Sequence, residues 1–191
     1  DAIPQASASQ AVLPDCLDVV RLKHRCRLQR LLKASRVAPT RKRLHALGKR
    51  LHAHLGGRLT QADTLHLTLV FVGEVDDALL APMRDAAARV SVPAFEMTFD
   101  RLDCWRHNHI AHVGLTQTPP ALFELVEKLS AALKAAGIPF DARPYKAHVT
   151  LLRKADCGKF RGENENPAPE PIRWSARDFV LVRSSRRPEG A

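Results

Sequence analysis

Thr64-Leu65-His66-Leu67-Thr68-Leu69-Val70-Phe71-Val72-Gly73 reads as a β-strand, because β-branched and aliphatic residues run on until Gly73 stops them. Side chains alternate faces along a strand, which sets His66, Thr68 and Val70 on one face and Leu67, Leu69 and Phe71 on the other. One face is core, and the other carries an imidazole and a hydroxyl. A lone histidine on a strand is ordinarily a structural one. Here the pattern recurs 82 residues later in Ala147-His148-Val149-Thr150-Leu151-Leu152-Arg153, again with His and Thr on a common face. Two such strands in one small chain point to a paired site.

The flanking segments supply the rest of a fold. Before the first strand, Thr40 caps a run in which Leu44, Leu47, Leu51 and Leu55 recur at helical spacing until Gly56-Gly57. After it, Asp76-Asp77 caps a second helix with the stripe Leu79, Leu80, Met83, Ala86, Ala87 and Val90. Residues 94–103 and 109–115 alternate apolar and polar, which predicts two antiparallel strands joined by a turn at Arg106-His107-Asn108. Thr118-Pro119-Pro120 opens a third helix, lined by Leu122, Phe123, Val126, Leu129 and Leu133 and ended by Gly137. The second histidine strand follows, then a charged, Pro-rich loop over 156–171, flexible by its composition, and a last strand over 172–183. Too few strands are separated by crossover helices for a doubly wound sheet, so the expectation is an α+β fold of two similar lobes facing each other across a cleft.

Composition bounds the partners. A chain of 191 residues suits one domain with a substantial core. Its longest apolar run falls well short of the roughly 20 residues of a membrane span, and no basic-then-apolar leader opens it. A soluble, cytoplasmic protein is expected. Cys16, Cys26, Cys104 and Cys157 are scattered without a Cys-x-x-Cys pair, so all four are read as thiols, with neither a zinc site nor a disulfide framework. The net charge of +10 is local: residues 21–58 hold thirteen Lys or Arg and no Asp or Glu, while the remainder is slightly acidic. Such a run suits a phosphate backbone, or simply a solvated helix face or arm. Residues 1–14 carry no period and read as a disordered lead, and any helix over 16–37 would be marginal against its own charge.

Two imidazoles and two hydroxyls on facing strands, with no carboxylate cluster, fit in-line displacement at phosphorus. The attacking oxygen loses a proton on one side while the leaving oxygen gains one on the other, and histidine serves both roles near neutrality. Thr68 and Thr150, about 6.6 Å along each strand from the imidazole, offer fixed donors to the non-bridging oxygens.

The doubled His-x-Thr-Leu, within Leu-His-Leu-Thr-Leu-x-Phe-x-Gly-Glu at 65–74 and Lys-Ala-His-Val-Thr-Leu-Leu-Arg at 146–153, resembles the 2H phosphoesterase superfamily. Within it the chain is most similar to the RNA 2′,3′-cyclic phosphodiesterases of bacteria and archaea, also called 2′-5′ RNA ligases, over residues 39–185. The resemblance implies a bilobal α+β fold, two antiparallel sheets flanking a central cleft with helices outside. It implies a metal-independent hydrolysis of RNA ends carrying a 2′,3′-cyclic phosphate to a 2′-phosphate, with 2′-5′ ligation as the reverse; no cofactor and a monomer are expected. On this chain His66 would be the proton donor and His148 the proton acceptor. Thr68 and Thr150 would hold the phosphate, and Arg153 would be a further phosphate contact.

One segment departs from the family pattern. Residues 28–37 stand where a short buried strand is usual and are too basic for one. The expectation is therefore an atypical segment over 1–38, a single bilobal domain over 39–191, and a sheet one strand short. Tyr145 and Phe140 are placed to stack a base or to pack in the cleft wall. Lys146 faces the cleft or the solvent, and Trp105 and Arg106 line the rim. His45, His52 and His54 read as surface, as do His107, His109 and His112, whose spacing only weakly suggests a metal site. Two other functions stay open: an RNA-end binder that does not turn over, and a 2H enzyme acting on a small cyclic nucleotide or an ADP-ribose cyclic phosphate.

Overall fold

The computed structural model describes residues 27–31, 38–161 and 170–184. Among them the order is β1 (Arg27–Leu31), α1 (Ala38–Leu55), β2 (Arg58–Leu59), β3 (Thr68–Glu74), α2 (Leu80–Ala88), β4 (Phe95–Phe99), β5 (Arg101–Trp105), β6 (Ile110–Gly114), α3 (Pro120–Ala135), β7 (His148–Arg153), β8 (Ile172–Ala176) and β9 (Val180–Ser184). The strands form a three-stranded sheet in the order β3-β1-β9, a four-stranded sheet in the order β2-β7-β6-β5, and a ribbon of β4 with β8. All their ladders are antiparallel, which makes this an α+β fold with one histidine strand in each main sheet.

The helices form where their periodicity predicts, but α1 begins at Ala38, so Thr40 lies inside it and, instead of capping, donates its hydroxyl to the Arg173 carbonyl at 3.1 Å. Leu44, Leu47, Leu51 and Leu55 of α1 are buried, and Gly56, at φ 59°, ends the helix in the left-handed conformation that glycine tolerates best. The Asp76 carboxylate accepts from the Ala78 amide at 2.8 Å ahead of α2. In α3 the buried stripe is Leu122, Leu125, Val126, Leu129 and Leu133. Phe123, expected inside, is exposed, its place in the stripe taken by Leu125.

The two longest predicted strands each divide between sheets. Residues 94–103 become β4 in the ribbon and β5 in the four-stranded sheet, and residues 172–183 become β8 in the ribbon and β9 in the three-stranded sheet. Asp100 makes the first break, its amide donating to the Gly114 carbonyl and its carboxylate accepting from the Thr116 amide at 2.7 Å. The ribbon thus hands the chain from one main sheet to the other. Met97, Phe99 and Trp174 on it are buried in the common core.

Three expectations are corrected. The first sheet is not a strand short: Arg27–Leu31 is its central strand, paired with β3 on one side and β9 on the other. A central strand is held by two backbone ladders and needs only five residues here, two of them the charged Arg27 and Arg30. Residues 1–26 and 32–37, with the expected disordered lead and marginal helix, lie outside the described residues. Second, Cys104 and Cys157 are disulfide-bonded with their Cα atoms 5.6 Å apart, so these two are not thiols. Fifty-three residues separate them, and only the adjacency of β5 to the loop after β7 brings them together. Third, that loop is anchored where it leaves β7: Ala155 and Cys157 are buried, and the Asp156 amide donates to the Leu55 carbonyl at 2.8 Å. No described helix is long and apolar enough to cross a membrane.

A candidate active site on two facing histidine strands

The two sheets meet through one isolated antiparallel bridge between Leu67 and Val149, both completely buried. Antiparallel register sets the flanking residues opposite one another, so Thr68 lies across from His148 and His66 across from Thr150. Each imidazole therefore stands beside the hydroxyl of the other strand, an approximate two-fold arrangement around the bridge. His66 itself precedes the regular part of β3, which begins at Thr68 and not at Thr64 as expected. Residues 62–64 form a turn of 3-10 helix instead.

A β-bulge decides which later residue of each strand joins the face of its His-x-Thr. Strict alternation would point Arg153 away from His148. In the β6–β7 ladder, however, Thr150 pairs with His112 and Leu152 with Ala111, leaving Leu151 without a partner. Leu151 and Leu152 are both buried, and Arg153, opposite Ile110, returns to the face of His148 and Thr150. β3 does the same. Thr68 pairs with Leu31 and Phe71 with Gln29, so three steps on β3 face two on β1. Leu69 and Val70 are both buried, while Phe71 is only half-buried. The expected face assignments of Val70 and Phe71 are thus exchanged by one inserted residue. Phe71 and Arg153 occupy equivalent places, five residues beyond their histidines.

Both imidazoles are oriented by the backbone two residues earlier. Nδ1 of His66 lies 2.6 Å from the Thr64 carbonyl and Nδ1 of His148 lies 2.8 Å from that of Lys146. A carbonyl only accepts, so Nδ1 carries the proton and Nε2 is the nitrogen left for chemistry. Burial lowers the pKa of both rings, opposed by these carbonyl bonds; the Arg153 charge lowers both further, and His148 adds to the effect on His66. In the resting protein each is biased toward the neutral form.

The sheet register brings together residues that the sequence named only separately or not at all. Asp103, His112 and Thr150 lie side by side on one face of β5, β6 and β7, with Trp105, Ile110 and Arg153 in the next row. His112, expected at the surface, is only 5% exposed. Its ring lies 5.4 Å from that of His148 and 4.2 Å from that of Trp105, and the Trp105 ring lies 4.6 Å from that of His148. Trp105 is therefore packed on the candidate base and not at a rim. Burial, first, and then the His148 charge press the His112 pKa down to about 4, against a weaker pull from Asp103 and the Ile110 carbonyl. Nothing in the sequence announced that β6 would lie beside β7, which is the signal His112 needed.

The remaining candidates are more peripheral. Tyr145 packs against the core, with its ring edge-on to Phe123 at 6.2 Å and its hydroxyl buried without a hydrogen-bond partner among the described residues, and burial raises its pKa. What it can offer a ligand is the ring. Phe140 also packs on the core, Lys146 is exposed, and His107 and His109 are exposed near the β5–β6 turn. Among the described residues no cluster of His, Cys, Asp or Glu is arranged to hold a metal.

Comparison with known proteins agrees with this fold. The profile of the family described as LigT like Phosphoesterase matches the chain twice, over residues 36–112 and 113–191, one match for each histidine strand. The chain is 33% identical over 131 residues to the RNA 2′,3′-cyclic phosphodiesterase of Escherichia coli, covering 68% of this chain and 71% of that one. It is 24% identical over 161 residues to the Archaeoglobus fulgidus protein of the same name, covering 78% and 87%. Among solved structures, Escherichia coli LigT complexed with 3′-AMP superposes with a TM-score of 0.73 at 27% identity, covering 86% of this chain and 91% of that one.

Proposed function

The chain belongs to the LigT-like phosphoesterase family, and from that membership we propose that it hydrolyses the 2′,3′-cyclic phosphate at RNA ends to a 2′-phosphate and a 3′-hydroxyl. The observation that carries the reading is the Leu67–Val149 bridge, which sets two Nε2-presenting imidazoles and two hydroxyls around one position.

His148 Nε2 takes a proton from water as its oxygen bonds to phosphorus. The P–O3′ bond breaks, and the Nε2 proton of His66 passes to O3′. Thr68 and Thr150 donate to the non-bridging oxygens. Arg153, brought to this face by the bulge at Leu151, offsets the charge that develops there. Tyr145 contributes its ring to the wall on which the terminal nucleoside rests. These steps use only the side chains of the chain and water.

The test is to offer an oligonucleotide ending in a 2′,3′-cyclic phosphate and identify the product. A 2′-phosphate is expected. A 3′-phosphate would exchange the two oxygens, and binding without any product would leave an RNA-end binder in its place.

A further inference from the structure

Arg58, which takes no part in the proton transfers, occupies an unusual position. It lies on the two-residue edge strand β2, directly opposite Arg153, so it shares the face of His148 and Thr150. Like charges directly opposite across an antiparallel pair are destabilising. Neither guanidinium has a hydrogen bond or a carboxylate partner among the described residues, and both are exposed.

The backbone is built to hold them there. Gly57, at φ 84°, lies so close to β7 that a Cβ would come within 2.6 Å of the Arg153 carbonyl, so only glycine permits the approach. Beyond Arg58, the Thr60 amide donates to the Leu151 carbonyl at 2.9 Å, and Leu59 packs on the core. A close-approach glycine and a bulge together place two guanidiniums, unpaired among the described residues, on the polar face of one sheet. Anions beside them, the reactive phosphate at Arg153 and a second one at Arg58, offset the repulsion.

The position selects which anion. β2 and Leu67 contact the same edge of β7, β2 at its C-terminal end and Leu67 near its N-terminal end. From the His66–His148 pair, the polar face therefore continues along β7 through Thr150 to Arg153, with Arg58 alongside. Resting on the proposed hydrolysis, we infer that Arg58 binds the phosphodiester on the 5′ side of the terminal nucleoside, so that the chain favours oligonucleotides over mononucleotides.

The experiment compares adenosine 2′,3′-cyclic phosphate with a trinucleotide ending in a 2′,3′-cyclic phosphate, using wild type, Arg58→Gln and Arg58→Lys. For Arg58→Gln the trinucleotide KM should rise about tenfold with kcat unchanged, while the mononucleotide stays within about twofold. The slope of log kcat/KM against log salt for the trinucleotide should shrink by about 0.7, the value for one contact to a single strand. Arg58→Lys should recover part of both. Equal losses on the two substrates would place Arg58 on the reactive phosphate and overturn the inference. So would no loss on either, or a Lys variant as defective as the Gln variant. Wild type inactive on both substrates would instead sink the proposed function itself.

Discussion

His66 stands opposite Thr150, one residue from the Leu67–Val149 bridge, and not opposite His148. The imidazoles are therefore diagonal to each other, with a hydroxyl beside each, which suits a displacement that needs proton transfers on opposite sides of one phosphorus. His66→Ala and His148→Ala should each lower kcat by about 10² to 10⁴ with little change in affinity for the product. The double variant should be little worse than either, because the groups act in one step. Steady-state kinetics with product binding by calorimetry checks this, and a fully active His148→Ala variant would rule out the two-histidine mechanism.

The pH profile should be bell-shaped and displaced toward acid. His148 must be neutral to accept a proton and His66 protonated to donate one, and burial lowers both pKa values below the ordinary 6.5. The acid limb of kcat/KM, set by His148, and its alkaline limb, set by His66, both move down. A bound phosphate anion favours the imidazolium of His66, so the alkaline limb of kcat should lie at higher pH than that of kcat/KM. Coincident alkaline limbs would remove the anion from contact with His66.

His112 makes stability depend on pH. Its folded-state pKa, about 4, lies below the ordinary 6.5, so between these values the unfolded chain binds the extra proton. The contribution is full above pH 6.5 and is lost as pH falls toward 4, a change of about 3 kcal/mol for one buried group. His112→Phe, which keeps a ring beside Trp105, should flatten part of the fall in urea midpoint between pH 7.5 and 5. An unchanged fall would show that His112 does not contribute.

The Cys104–Cys157 bond should carry stability. Closing a loop over a sequence separation of 53 residues is worth about 4 kcal/mol in the chain-entropy account. Cys104→Ser with Cys157→Ser should lower the thermal midpoint by several degrees, and reduction of unfolded wild type should release two further thiols. A thiol count unchanged by reduction would show that the bond is not formed. Because Cys104 adjoins Trp105, the serine variant also tests whether the bond holds the ring against His148.

Much of the site was legible before folding was considered. His66 and His148 could be paired from sequence because each sits in a period-2 apolar run whose polar face repeats the same His-x-Thr. The helices were legible for the same reason at period 3.6. Arg153 was legible only through its family resemblance: alternation alone gives it the wrong face, and a one-residue bulge leaves no mark in composition. β1 was obscured because two of its five residues, Arg27 and Arg30, are charged, whereas the backbone ladders that hold it on both sides leave no mark in composition.

Chemistry carried by neighbours along the chain was thus determined by the sequence, since a strand fixes which residues share a face over short distances. Which strands lie side by side was decided only by the tertiary structure. Pairing β6 with β7, and β5 with β6, brings His112 and Trp105 onto His148, and pairing β2 with β7 sets Arg58 opposite Arg153. Cys104 meets Cys157 by the same kind of adjacency. Backbone ladders form between any suitably placed strands whatever their side chains, so these partnerships follow from the packing of the whole core and are not written in the segments that make them.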